Sequence, residues 1–171
     1  MVGAEPPDGF AEFVAGRSAA LLRTAWLLTG DAGRAEDLLQ TALAATWRRW
    51  RSVIAEGNPE AYVRRVLVTT WASWWRRRWR GEVPTAALPE SVEGADLARG
   101  AADRDAVRRA LARLSRQQRA VVVLRYAEDL SIEQTARLLG CSPGTVRVQT
   151  TRALAALRAD PQLRLSEEVG Q

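Results

Sequence analysis

Histidine and lysine are absent from this 171-residue sequence, and cysteine occurs once, as Cys141. Each absence removes a class of chemistry. With no histidine and a single thiol, the usual Cys/His zinc centre cannot be assembled. One cysteine also excludes a disulfide within the chain. Ser–His and Cys–His nucleophile pairs are ruled out as well. No glycine-rich phosphate-binding motif takes their place, so no catalytic residues, cofactor or metal are expected. No apolar run approaches the roughly 20 residues that a membrane helix needs, and nothing resembles a secretion signal. The chain is expected to stay in the cytoplasm, without a membrane partner.

Arginine therefore supplies all 25 basic residues, against 20 acidic ones, for a formal charge of +5. Such a balance favours nucleic acid or an acidic surface as partner. Arginine also stacks on rings and forks onto phosphates in ways that lysine cannot. The stretch Trp71–Arg80, WASWWRRRWR, interleaves four Trp with four Arg. Trp is usually buried and Arg usually exposed. The stretch is therefore either a helix end with a Trp-rich core face or a surface that stacks on bases and holds phosphates.

Charge divides the chain. Residues 1–80 and residues 103–171 each hold 12 Arg and 8 acidic residues. Residues 81–102 hold one Arg and four acids, Glu82, Glu90, Glu93 and Asp96. This acidic middle contains Gly and Pro, has little apolar periodicity and reads as an extended linker. The seven Trp all precede it. Two small domains are expected, over 1–80 and 103–160, with 161–171 a flexible tail.

Helical periodicity dominates, and no convincing strand pattern is present. Phe10, Phe13, Val14, Leu21, Leu22, Ala25 and Leu28 recur at spacings of three, four and seven. Asp31 caps a second helix expected to run to about Trp50, with Leu38, Leu39, Ala42, Leu43 and Thr46 inward. Asn58-Pro59-Glu60 starts a third, ending near Arg78, on which Val63, Leu67, Thr70 and Trp74 form one stripe. A further helix is expected from about Ala102 to Leu114. Ser115-Arg-Gln-Gln118 and Ser131-Ile-Glu-Gln134 both have capping-box form. Val121 to Leu124 should pack the second domain. Gly140 suits a left-handed helix end, and Ser142-Pro143 supplies a cap and a first-turn proline.

The segment SIEQTARLLGCSPGTVRVQTTRALAAL fits a DNA-reading helix-turn-helix. Ala136 is small where two helices must approach, Gly140 makes the turn, and Val146 anchors the second helix. At roughly 100° per residue, Val146, Thr150, Ala153 and Leu157 share the packed side, which leaves Arg147, Val148, Thr151 and Arg152 on or near the other. Ser142 and Thr145 sit at the helix N-terminus, where N–H groups favour phosphate. Arg147 and Arg152 are placed to read guanine edges or hold phosphates, and Val148 to touch a thymine methyl. The alternative is a helical hairpin with a solvated Arg face.

The order of motifs resembles the extracytoplasmic-function sigma factors of bacterial RNA polymerase, and within them the sigma-E-like subfamily. The resemblance covers residues 10–158 and is carried by LLRTAWLLTGDAGRAEDLLQTAL, YVRRVLVTTWASWWRRRWR and LSRQQRAVVVLRYAEDLSIEQTARLLGCSPGTVRVQTTRAL. It implies an all-α, two-domain, dissociable and non-catalytic subunit. The first domain would bind the clamp helices of core RNA polymerase and open the −10 element as single strand. The second would bind the double-stranded −35 element and the polymerase flap. Trp71-Ala-Ser-Trp74-Trp75 resembles the aromatic–Ala–Thr–Trp–Trp run of primary sigma factors. By that match Trp71 would stack on a flipped base, Trp74 and Trp75 would wedge the duplex edge, and Arg76, Arg77, Arg78 and Arg80 would hold the backbone. Glu36, Asp37, Leu38 and Gln40 match the clamp-binding segment. Members of the family are often held in check by an anti-sigma factor. A helix-turn-helix regulator that never joins polymerase is the rival reading; it leaves the first domain without a role.

Overall fold

The computed structural model describes residues 7–79 and 100–161, the side chains of residues 78, 79 and 100–104 excepted. All regular structure among the described residues is helical. The chain divides into two compact units, Met1–Val83 and Pro84–Gln171. The acidic linker over 81–102, the tail beyond residue 161 and Arg80 fall almost wholly or wholly outside the described residues.

In the first unit α1 spans Phe10–Thr29 and α2 spans Ala32–Trp47. Between them Gly30 adopts φ 68°, and its N–H bonds back to the Trp26 carbonyl. A residue with a Cβ would be strained there. Asp31 opens α2 by accepting from the Arg34 N–H at 2.8 Å. The short α3, Trp50–Ala55, follows, and then α4, Pro59–Trp79, whose cap is Asn58 Oδ1 accepting from the Ala61 N–H at 3.0 Å.

The second helix ends three residues before the Trp50 expected from its pattern. Arg49 leaves the helical region (φ −121°, ψ 12°) and α3 starts anew. Tertiary packing accounts for the break. Trp50 is 3 % exposed, and its ring centroid lies 5.1 Å from those of both Phe10 and Phe13. Its indole N–H donates to the Asp8 carbonyl at 2.9 Å. Burying one Trp with its N–H satisfied outweighs the few tenths of a kcal/mol per residue at stake in helix propensity.

The core of this unit draws on all four helices. Leu21, Ala25 and Leu28 come from α1, and Ala35, Leu38, Leu39 and Ala42 from α2. Val53 comes from α3, and Val63, Leu67, Val68, Trp71, Ala72 and Trp75 from α4. On α4 the buried row therefore steps by four, from Val63 through Leu67 and Trp71 to Trp75. The Thr70 and Trp74 branch of the expected stripe is only half-buried. Both branches fit a helical period. The first buries two large indoles, a gain of several kcal/mol in transfer free energy that Thr70 cannot match.

In the second unit α5 spans Gly100–Arg113, α6 Arg116–Val122, α7 Ile132–Leu139 and α8 Pro143–Arg158. Ser115 and Ser131 each form both halves of a capping box, with Gln118 and Gln134 respectively. A single π-helical turn over Val123–Ala127 extends α6, with the Glu128 N–H bonded to the Val123 carbonyl at 3.0 Å. Val121, Val122, Val123 and Leu124 are all buried, as expected. Four consecutive buried residues exceed one helical face, so this segment is covered nearly all round. The unit is tied by an ion pair, Arg113 Nη1 to Asp160 Oδ2 at 3.0 Å, with Asp160 itself buried.

Candidate nucleic-acid interfaces

The turn between α7 and α8 is built by three local devices. Gly140 takes φ 69°, and both its N–H and that of Cys141 reach the Ala136 carbonyl. Ser142 Oγ accepts from the Thr145 N–H at 3.1 Å and lies 3.0 Å from Thr145 Oγ1. Pro143 then starts α8. Ala136 and Val146 are buried where α7 and α8 meet, as a helix-turn-helix requires. Burial pushes the half-buried Cys141 thiol above its ordinary pKa, so it stays protonated and inert at neutral pH. Gly140→Ala is expected to destabilise this unit by about 1–2 kcal/mol through its left-handed backbone. Denaturant melting followed by far-ultraviolet circular dichroism would read the loss.

With Val146 and Ala153 inward, α8 presents Arg147, Val148, Thr151 and Arg152 to solvent together. Val148 is 48 % exposed and so is available for an apolar contact. The Thr151 hydroxyl donates to the Arg147 carbonyl at 3.1 Å. Ser142 is exposed, but its oxygen already serves the cap, and Thr145 is half-buried. Arg147 has a carboxylate neighbour on α7. Backbone hydrogen bonding at Glu133 holds that carboxyl below its usual range, helped by Ser131, Arg147 and Arg125. On α6, burial and the neighbouring Arg116 pull the Arg119 guanidinium below its ordinary pKa. Its Nε has no hydrogen-bond partner among the described residues. Arg119 was not singled out from sequence, because its burial depends on the domain around it.

At the end of α4 the structure sorts the tryptophans differently from the expectation. Trp71 is 5 % exposed and Trp75 9 %, their ring centroids 5.3 Å apart. Trp71 is thus a core residue and not an available stacking platform, and Trp75 is not a free wedge. Trp74 alone of the three is half-buried. Arg76 and Arg77 are exposed, and Arg77 leans back on Ser73, with Nη2 3.3 Å from Oγ. The side chains of Arg78 and Arg80 lie outside the described residues.

On α2, Glu36, Asp37 and Gln40 are exposed on one side. Leu38 is 0 % exposed, so it cannot lie on a docking surface. It belongs to the buried set Ala35, Leu38, Leu39 and Ala42, as the periodicity required. The apolar ground beside Gln40 is instead a shallow depression walled by Phe10, Leu43, Ala44 and Trp47, with the exposed Arg48 at its edge. A second surface went unnoticed in the sequence. Trp47-Arg-Arg-Trp50-Arg51 repeats the interleaving of WRRRWR, and its three arginines are exposed around a cleft at the α2–α3 bend.

The two units thus make up a helical protein that pairs a helix-turn-helix with a separate basic, aromatic-rich bundle. Residues 14–81 match the family model described as Sigma-70 region 2, and residues 104–157 that described as Sigma-70, region 4. The chain is 47 % identical over 151 residues to RNA polymerase sigma-E factor of Streptomyces coelicolor, a match covering 88 % of this chain and 85 % of that protein. It is 34 % identical over 137 residues to ECF RNA polymerase sigma factor SigM of Mycobacterium tuberculosis, covering 80 % and 69 % respectively. Among solved structures, the sigma factor RpoE of Bartonella quintana, crystallised with the anti-sigma factor NepR, is similar with a TM-score of 0.54 and 25 % identity, covering 92 % of this chain and 98 % of that one. The chain belongs to the sigma-70 family of RNA polymerase sigma factors, in its extracytoplasmic-function group. As such it is a non-catalytic specificity subunit that recognises promoters. No helix among the described residues is long and apolar enough to cross a membrane.

Proposed function

We propose that this chain joins core DNA-directed RNA polymerase reversibly in the cytoplasm, selects promoters through −35 and −10 elements, and opens them. The observation that carries the proposal is the presence, in one chain, of a region 2 bundle and a region 4 helix-turn-helix whose α8 exposes Arg147, Val148, Thr151 and Arg152 together. In this reading α8 enters the major groove at −35, where Arg147 and Arg152 meet guanine edges or phosphates and Val148 a thymine methyl. Ser142 and Thr145 approach the backbone at the helix start.

At −10, Trp74 takes the aromatic role, since Trp71 and Trp75 are committed to the core. Flipping a base costs a few kcal/mol. Stacking on an aromatic side chain returns about 1–3 kcal/mol per base. Arg76, Arg77, Arg78 and Arg80 hold phosphates there. The clamp helices of polymerase meet Glu36, Asp37 and Gln40, with Leu43 and Trp47 as the apolar component in place of Leu38. The second unit meets the flap. An anti-sigma factor that covers these surfaces belongs to the same proposal, supported by the B. quintana protein, which was crystallised with one.

Polymerase binding separates this function from that of an ordinary helix-turn-helix regulator. The chain should co-elute with purified core polymerase in gel filtration. Glu36→Arg/Asp37→Arg should weaken that association at least tenfold, as expected when like charge is placed against a complementary surface. Arg147→Ala should leave it unchanged. Failure of the parent chain to co-elute would favour the regulator.

A further inference from the structure

Glu133, the acidic residue in the first turn of α7, is assigned no role by the fold or by the matches above. Its side chain is exposed, and yet its place is fixed. Ser131 Oγ accepts from the Gln134 N–H at 3.0 Å, and Gln134 Oε1 accepts from the Ser131 N–H at 2.7 Å. A serine hydroxyl that accepts in this way still has its own proton to donate. That proton goes to the Glu133 carboxylate, which also accepts from the backbone N–H of its own residue. The capping box of α7 therefore doubles as a cradle for a carboxylate.

Two cations act on this carboxylate, Arg147 from α8 and Arg125 from the π-helical turn. Arg125 is half-buried and already engaged, since its Nη1 donates to the Leu130 carbonyl. Arg147 is exposed, and only its backbone is fixed, by the buried Val146 beside it where α8 packs on α7. Arg152 lies five residues further along α8, about 7.5 Å by the rise of a helix.

The consequence is electrostatic. The first helix of a helix-turn-helix crosses the DNA backbone. A carboxylate held at its start opposes a phosphate that approaches Arg147, and attracts the Arg147 guanidinium itself. An arginine so placed loses part of its pull on the backbone. It keeps its fork of donors, which matches O6 and N7 of guanine in the major groove.

We infer that Glu133 is a positioning residue that makes Arg147 a base reader and not a phosphate holder, by keeping its guanidinium off the backbone and aimed into the groove. The inference rests on the reading that α8 enters the −35 duplex. It adds a specificity element on α7, made of repulsion as much as attraction.

The test takes the duplex that the full chain selects from a randomised pool, its single base-pair variants and a duplex of unrelated sequence, with binding followed by fluorescence anisotropy. Arg147→Ala identifies the base pair whose discrimination depends on Arg147. Glu133→Gln keeps the shape and removes the charge. It should lower discrimination at that pair about five- to tenfold, part of the effect of a bidentate contact. It should also bind the unrelated duplex about threefold more tightly, because a charge that repels phosphate is gone. A misfolded chain would weaken both. Glu133→Asp should recover most of the discrimination, and Glu133→Gln should alter no preference in an Arg147→Ala background. Full discrimination in Glu133→Gln would overturn the inference. So would an equal loss at base pairs that do not depend on Arg147, or an Arg147→Ala variant that changes no preference. A parent chain that selects no duplex would strike the −35 reading itself, and the inference with it; that result is read at the selection, before any variant is compared.

Discussion

Trp71→Ala lowers the stability of the first unit by about 3–5 kcal/mol, the usual range for truncating a buried aromatic. Trp74→Ala, one helical turn away, leaves stability within about 1 kcal/mol and slows promoter opening instead. The contrast follows from packing. Trp71 is 5 % exposed and rests against Trp75 within a row that starts at Val63 and Leu67. Removing its indole leaves a cavity that the rigid aromatic neighbours cannot fill. Trp74 has part of its surface in solvent and lies near the exposed Arg76 and Arg77. All seven tryptophans precede residue 81, so tryptophan fluorescence during urea unfolding reports this unit without interference from the other. Permanganate footprinting of the promoter complex reports opening. A stable Trp71→Ala protein with a lost footprint would return Trp71 to the base-stacking role that the motif match gave it.

Arg147→Ala and Arg152→Ala each weaken binding to the −35 element by about 10- to 100-fold where the guanidinium forks onto a guanine, corresponding to 1–3 kcal/mol. Where it holds a phosphate instead, the loss is uniform across sequences and the duplex salt slope falls by about 0.9 per contact. Selection of −35 variants from a randomised pool, run at two salt concentrations, separates the two roles. Relaxed preference at one base pair marks a reading arginine; unaltered preference with a shallower slope marks a holding one. Neither role of Arg147 should change between neutral and mildly acidic pH. Its neighbour Glu133 has its carboxyl held below the usual range, so Glu133 stays ionised through neutral and mildly acidic pH. The local field at Arg147 is therefore constant over that window. Core polymerase binding should be unaffected by either substitution, since both side chains lie on the exposed face of α8 that we propose meets DNA.

How much of this was legible beforehand depends on how local each cause is. The caps at Ser115, Ser131 and Ser142 and the left-handed Gly140 involve residues within four positions of one another, and sequence spacing suffices to place them. The break at Arg48–Arg49 has no local signal. Neither residue breaks helices, and the cause is the docking of Trp50 on Phe10, forty residues earlier. The roll of α4 was ambiguous for a different reason. Val63 and Leu67 are shared by two admissible rows, and only the volume available in the core decides between Thr70–Trp74 and Trp71–Trp75. At Leu38, periodicity and motif resemblance pointed in opposite directions, and burial follows the periodicity. A family motif marks a segment as functional without stating which of its residues face the partner. The Arg48–Arg51 cleft escaped notice because its residues converge only once the bend exists, although the WRRWR echo of WRRRWR was visible in the chain.

This chain should confer promoter specificity on a polymerase that lacks it. Run-off transcription on fragmented genomic DNA, with purified core polymerase and with or without the chain, tests it most directly. New transcripts should start downstream of two shared sequence boxes at a fixed separation, and should disappear when Arg147→Ala/Arg152→Ala replaces the parent. An absence of new starts, in the presence of a known sigma factor that initiates normally in the same assay, would contradict it.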